Sequence, residues 1–226
     1  MAEEREAKNP VQSAERIFQV METLADHGEM GLMELSTALD LHKSTVHRLL
    51  MSLIYMGYAK QDEATQKYML SYKVVNMAGK ILERMDILQG AKPYMERLSD
   101  LSGEAVHLVQ REGNHILYIY KIEAKVGTIR MVSHVGMVHP MYCSGVGKAI
   151  MATLPDEEVK KIWNESIIEK KTDKTITDFS QMQEVLEEVR QNGYALDDEE
   201  NEKGVRCIAA CLHGYQKEVK YAFSIS

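Results

Sequence analysis

Apolar residues return every three or four positions between Val11 and Ala25 (Val11, Ala14, Ile17, Phe18, Met21, Leu24, Ala25), which predicts an amphipathic helix ending at the break HGEMG, residues 27–31. Leu32, Leu35 and Leu39 share one face of a second, shorter helix, with Ser36, Thr37 and Ala38 crowding its middle. Asp40-Leu41 interrupts the pattern. A third helix follows with Ser44 as its N-cap, Val46, Leu49, Leu50, Leu53 and Ile54 turned inward, and Gly57 as its stop. Two helices joined by so short a turn describe a helix-turn-helix, in which small Ser36 allows close approach and Leu41 plugs the turn. Asp40 stands at the turn, where it tolerates the left-handed backbone better than most residues. The β-capable runs Tyr58–Gln61 and Lys67–Leu70 flank the polar tip DEATQ and predict a hairpin, a wing in this context.

From Tyr72 to Leu88 a helical period continues through Val74, Val75, Ala78, Ile81, Leu82, Met85 and Leu88, and a second helix over 93–103 ends at Gly103. Such a connecting helix can pair with its copy in a second chain, giving a homodimer whose two heads read two half-sites. The alternative is that the stripe packs on its own body, and pairing is the favoured reading. Beyond it the pattern turns to short alternating runs, EAVHLVQ, HILYIYKIE and TIRMVS, with turns at REGN and AKVG. Helical stretches over 145–163 and 178–192 precede the strands YALDD, RCIAACLH and EVKYAFSIS. The whole is an α+β chain: a flexible arm (1–9), a winged helix-turn-helix (10–71), a linker helix (72–90) and a body of antiparallel sheet covered by helices (91–226).

Charge then sharpens the first domain. The 226 residues hold 27 Lys and Arg against 34 Asp and Glu, a net −7, so the chain as a whole repels nucleic acid. Screening confines each charge to about 8–10 Å, so a local basic face remains possible. The stretch LHKSTVHRLLMSLIYMGYAK (41–60) carries Lys43, Arg48 and Lys60 and no carboxylate. A surface meeting phosphate excludes carboxylates because each adds repulsion there. His42, Lys43, Ser44, Thr45, His47 and Arg48 at the start of the third helix supply donors for base edges and phosphates, and Lys60 and Lys67 on the wing would clamp the flanking backbone. The expected partner is a double-stranded DNA operator of palindromic half-sites. A winged helix can also dock a protein, but the carboxylate-free window favours DNA.

No apolar run approaches the roughly 20 residues of a membrane span, and the charged start MAEEREAKNP is not a signal segment, so a cytoplasmic protein without membrane attachment is expected. Cys143, Cys207 and Cys211 are then reduced thiols. Cys207 and Cys211 on one strand would stand about 13 Å apart, too far to share an ion, so no metal is expected. Neither does the chain assemble a nucleophile, base and orienting group, so no catalytic residue, enzyme activity or cofactor is expected. HPMYCSGVGKAIM (139–151) fails as a Walker A loop and as a dinucleotide fingerprint. It is either a helix start whose amides around Gly145–Gly147 bind a carboxylate or phosphate, or a tight turn that needs glycine. The acids Asp197–Glu200 read as a solvated loop.

Taken together, ERIFQVMETLADHGEMGLMELSTALDLHKSTVHRLLMSLIYMGYAKQD, HPMYCSGVGKAIMATLP, GYALDDEENEKGVRCIAAC and the final SIS resemble an IclR-type transcriptional regulator, over nearly the whole chain from about Asn9. Within that family the branch controlling pectin and 2-keto-3-deoxygluconate breakdown is the nearest in pattern. The resemblance implies a winged helix-turn-helix, a GAF-like effector domain, and a dimer or dimer of dimers. It also implies a 2-oxo or sugar acid as effector, held at Gly145, Val146, Asp197, Cys207, Ser224 and Ser226. The family usually continues past the SIS strand into another helix, where this sequence ends at Ser226, and it commonly places glycine where Asp40 stands. The expectation is a repressor released from DNA by a small organic acid. A constitutive DNA-binding dimer without ligand, and an enzyme acting on a small acid, are the alternatives.

Overall fold

The computed structural model describes residues 9–125, 131–214 and 219–226. Residues 1–8 of the expected arm, Thr128–Arg130 of the expected strand TIRMVS and Glu218 lie outside the described residues. The chain divides after Arg84 into two compact units.

The first unit contains α1 (Gln12–His27), α2 (Leu32–Ala38), α3 (Lys43–Tyr55), β1 (Ala59–Gln61), β2 (Tyr68–Leu70) and α4 (Tyr72–Glu83). Its core joins Val20 and Leu24 of α1, Leu35 of α2, and Val46, Leu49, Leu50 and Leu53 of α3. The stripe expected on α1 was two stripes merged. Ile17, Val20, Met21 and Leu24 face inward at i, i+3, i+4, i+7, whereas Val11 and Phe18 lie on a neighbouring arc and stay 53% and 59% exposed.

The α2–α3 turn is held by hydrogen bonds as well as by fit. Ser36 Oγ donates to the Leu41 carbonyl at 2.6 Å, and the Leu41 amide donates back to Ser36 O at 3.1 Å. Asp40 between them takes φ +50°, the left-handed region its side chain tolerates. The N-cap of α3 is His42, not Ser44: its Nδ1 accepts from the Ser44 amide at 3.4 Å and meets Ser44 Oγ at 2.8 Å. Wing strands pair antiparallel with Ala59 opposite Leu70. Asp62 closes the tip, accepting from the Ala64 and Thr65 amides and the Thr65 hydroxyl, and these bonds, led by Thr65, hold its carboxyl below the usual range. Met30, inside the expected break HGEMG, exchanges two backbone bonds with Tyr68 and extends the wing.

Helix α4 starts against the wing. Ser71 Oγ donates to Gly57 O and accepts from the Lys73 amide, while Lys73 Nζ donates to Met56 O at 2.7 Å and lies over the Tyr58 ring. No residue of α4 is buried; Tyr72, Val75, Met77 and Ile81 are exposed. The linker helix expected to run over 72–90 stops at Glu83. Met85 adopts extended backbone and caps α5 (Asp86–Ser102), with Asp86 favourably placed at the positive helix end. Pro93 therefore sits inside a helix rather than at its start. It is tolerated because Gln89, whose carbonyl loses its amide partner, is exposed to water.

The second unit contains α5, β3 (Val106–Glu112), β4 (His115–Ile122), β5 (Val138–Pro140), α6 (Gly145–Ala152), α7 (Asp156–Glu165), α8 (Phe179–Asn192), β6 (Ala195–Asp198), β7 (Arg206–Leu212) and β8 (Tyr221–Ile225). One sheet in the order β5-β4-β3-β8-β7-β6 pairs every neighbour antiparallel, so the expected α+β body is observed. Two expected elements differ. Met131–Ser133 is not strand, because Lys121 Nζ takes the Met131 and Ser133 carbonyls that a ladder would need. The helix expected over 145–163 is two, since Pro155 disfavours helical backbone at Leu154 and starts α7.

The two sheet faces differ in side-chain size. On one, Ala195, Ala209 and Ala222 line up with Val109 and Ile116 and let α6 lie close, with α8 beyond it. On the other, Val106, Leu108 and Ile119 pack on Met95 of α5. The small residues decide where a helix terminus can approach the sheet.

Candidate functional site

Two places gather the residues expected to act. The first is the outer side of α3. With Val46, Leu49, Leu50 and Leu53 committed to the core, helical geometry leaves Lys43, Ser44, His47 and Arg48 facing outward, and all four are exposed. Thr45 is half-buried, and His42 is exposed but engaged by its capping bonds. On the wing Lys60 is exposed with its ammonium 5.6 Å from the centre of the Tyr72 ring, while Lys67 is half-buried. Arg48 makes no ion pair among the described residues.

The second is a cavity of about 70 Å³ beneath the start of α6. Strand register builds its floor: Asp197 lies opposite Cys207, and Ser224 lies opposite His107. Tyr118, Met131–Ser133, Met137, His139 and Asn201 close the sides, and Ser144, Gly145 and Val146 form the roof. All six residues expected to hold an effector, Gly145, Val146, Asp197, Cys207, Ser224 and Ser226, line this one space. A more open cavity of about 660 Å³ adjoins it, sharing Met131, Asp197, Val205, Cys207 and Ser226.

The roof is a helix N-terminus with two amides left over. Ser144 caps α6 by accepting from the Gly147 amide at 3.1 Å, and its carbonyl takes the Lys148 amide. Among the described residues the amides of Gly145 and Val146 have no acceptor. They add to the positive end of the helix dipole, a place suited to a carboxylate. Gly147, grouped with them on sequence grounds, serves a different end, since its missing side chain lets α6 meet the backbone of Met141.

Asp197 is buried, and its Oδ1 accepts from the Glu200 amide at 2.8 Å. Burial pushes its carboxyl up to about 6, against the opposing pull of that hydrogen bond and of Lys148. The acid run is not a solvated loop. Glu200 is buried in an ion pair with fully buried Lys148, leaving Oε2 without a hydrogen bond among the described residues, while Asp198 and Glu199 pair with Lys174. Thr172 and Thr175 hold the segment by donating to the Glu199 and Glu200 carbonyls. Removing one partner of such a pair strands a charge, so Glu200→Gln is expected to destabilise the second unit by about 3–5 kcal/mol. Urea unfolding followed at Trp163, the single tryptophan, checks this. The doubly neutral Lys148→Met/Glu200→Gln variant is expected to lose less than the single one.

Sequence reasoning missed His107, Tyr118, Ser133 and His139. The available signal was a polar residue in an apolar run, Val106-His107-Leu108-Val109. Burial pulls both histidines down to about 4, so they are neutral near pH 7. His139 Nε2 stands 3.5 Å from Cys143 Sγ, but burial pushes the thiols of Cys143 and Cys207 up to about 11. Neither cysteine is an activated nucleophile.

The IclR helix-turn-helix domain matches residues 13–63, and the bacterial transcriptional regulator IclR C-terminal domain matches residues 79–226. The DNA-binding transcriptional repressor YiaJ of Escherichia coli K12 is 37% identical over 229 aligned positions, spanning 100% of this chain and 81% of its own. The HTH-type transcriptional regulator KdgR of the same organism is 35% identical over 199, spanning 88% and 75%. The crystal structure of the Thermotoga maritima IclR superposes with a TM-score of 0.80 at 26% identity, covering 95% of this chain and 86% of that one.

Proposed function

We propose that this chain, which belongs to the IclR family of bacterial transcriptional regulators, is a repressor that a small 2-oxo or sugar acid releases from its operator. The outward residues of α3, with Arg48, Lys43, Ser44 and His47 foremost and Thr45 and His42 at the edge, read the major groove. Lys60 and Lys67 hold the flanking phosphates. One such head covers one half-site, so the operator is palindromic and the protein a homodimer or dimer of dimers. The apolar side of α4, with Val75, Met77 and Ile81 exposed, supports pairing between copies. Among the described residues no helix is long and apolar enough to cross a membrane. A DNA target supports a cytoplasmic location.

One observation carries the effector assignment. Gly145 and Val146, whose amides have no acceptor among the described residues, line one cavity together with Asp197, Ser224 and Ser226. A carboxylate at the amides leaves the neighbouring carbon within reach of those oxygens. At about 10–15 Å³ for each water, 70 Å³ holds on the order of five waters, room for the head of a short acid. The adjoining cavity receives a longer hydroxylated tail. Binding needs to favour one dimer geometry over another by only about 1–3 kcal/mol to act as a switch.

A thermal-shift and operator-release series with pyruvate, gluconate and 2-keto-3-deoxygluconate tests the proposal. A ligand at one hundred times its Kd stabilises by about 2.7 kcal/mol and is expected to raise Tm by roughly 5–10 °C while freeing operator DNA. If no acid moves either signal, the assignment fails and a ligand-independent repressor remains.

A further inference from the structure

The cavity contains a hydrogen-bonded chain to which neither the carboxylate-binding roof nor Asp197 contributes. His107 Nε2 lies 2.9 Å from Ser133 Oγ, and His107 Nδ1 lies 3.4 Å from Ser224 Oγ. All three residues line the cavity. His107 is 2% exposed, and the edge-on ring of Tyr118 at 5.4 Å steadies the plane of its imidazole. Ser133 is fixed independently, because Lys121 Nζ donates to its carbonyl at 2.7 Å. Burial opposes a second proton on the ring, the same ammonium adds to that opposition, and Glu123 acts the other way.

We propose that His107 is a positioning residue that sets the cavity's specificity, turning Ser224 into a reversible donor or acceptor for the substituent beside the ligand's carboxylate. This rests on reading the cavity as an acid-binding site. A neutral imidazole has one N–H and one bare nitrogen, and each here faces a hydroxyl that can give or take. With the proton on Nε2, the ring donates to Ser133 and takes the Ser224 hydrogen. Ser224 then shows lone pairs to the cavity and accepts from a ligand hydroxyl. With the proton on Nδ1, Ser133 donates to Nε2 and the ring donates to Ser224. The Ser224 hydrogen now points into the cavity and serves an oxo oxygen. One proton changes nitrogen through exchange with solvent, two hydroxyls rotate, and net charge is unchanged. A 2-hydroxy acid and its 2-oxo counterpart are thus both accepted, and an acid bare at that carbon is not favoured.

Pyruvate, the two lactate enantiomers and propionate differ only at that carbon and suit a cavity of about 70 Å³. Calorimetric titration of the full chain is expected to show pyruvate and one lactate within about threefold of each other, both about tenfold tighter than propionate. His107→Phe keeps the ring and its contact with Tyr118 but removes both nitrogens. It is expected to bring pyruvate and lactate to the propionate level while propionate itself changes by less than about twofold. Ser224→Ala, which removes the hydroxyl itself, is expected to bring pyruvate and lactate down to the propionate level in a second variant should the first fold poorly, and His107→Gln, with one donor and one acceptor, restores the preference. Equal weakening of all probes, or a tenfold preference surviving in His107→Phe, overturns the relay. Failure of the unaltered chain to bind any probe overturns the acid site itself.

Discussion

Replacing Arg48 by alanine is expected to weaken operator binding by about 10- to 100-fold and to reduce the slope of log affinity against log salt by about one. The side chain is exposed on the outward face of α3 and has no ion pair among the described residues, so its loss leaves folding nearly untouched. A guanidinium released from water onto a guanine edge or a phosphate gives about 1–3 kcal/mol, and a phosphate contact also releases a counterion. Affinity measured by fluorescence anisotropy at several salt concentrations, with oligomer size as control, separates these contributions. If only affinity falls and the slope holds, Arg48 reads a base without neutralising phosphate. If neither changes, α3 is not the reading helix. Lys60→Ala is expected to have a smaller effect, because its ammonium lies beside the Tyr72 ring.

Much of the reading head was legible because its information is local. Helical spacing in α3 located Val46, Leu49, Leu50 and Leu53, and the polar tip located the hairpin. The errors arose where two local rules overlapped or a rare residue filled a common role. Two apolar arcs on α1 read as one, which hid fully buried Val20 and credited exposed Phe18. Histidine is an uncommon N-cap, so Ser44 drew the assignment that belongs to His42. The break after Glu83 had no glycine or proline to mark it, whereas Pro93, a conspicuous mark, lies inside α5.

The cavity was legible in a different way. Spacing alone showed a glycine-rich helix start; the six residues placed around it came from family resemblance. Register explains why pattern could not supply them. Ser224 meets His107 across 117 positions of sequence, through β8 pairing with β3. Asp197 faces Cys207 only because β6 and β7 align at that pair. No periodicity within a strand encodes which strand will be its neighbour. The buried Lys148–Glu200 pair, 52 positions apart, was hidden inside an acidic run that composition reads as solvent-exposed.

The clearest test of the cavity's architecture is Gly147→Ala, expected to cost more than about 3 kcal/mol and to abolish the cooperative Trp163 transition. A methyl there would stand 2.5 Å from the Cα of Met141 and 2.6 Å from its carbonyl carbon. Those are backbone atoms of a fully buried residue, so no side-chain rotation relieves the overlap. Relief means moving the β5–α6 corner or lifting α6 from Ala195, Ala209 and Ala222, and either shift dismantles the cavity roof. Gly145→Ala supplies the contrast two residues earlier. Its methyl would meet Ala209 Cβ at 3.3 Å and the Asp197 amide nitrogen at 3.6 Å, contacts that a few tenths of an ångström resolve. Alanine's better helix propensity, worth up to about 1 kcal/mol, offsets part of that strain. Stability near the parent with weakened acid binding is the expected result for Gly145→Ala. Were both variants equally stable, α6 would not be wedged against Met141, and the amides above the cavity would lose the support that aims them.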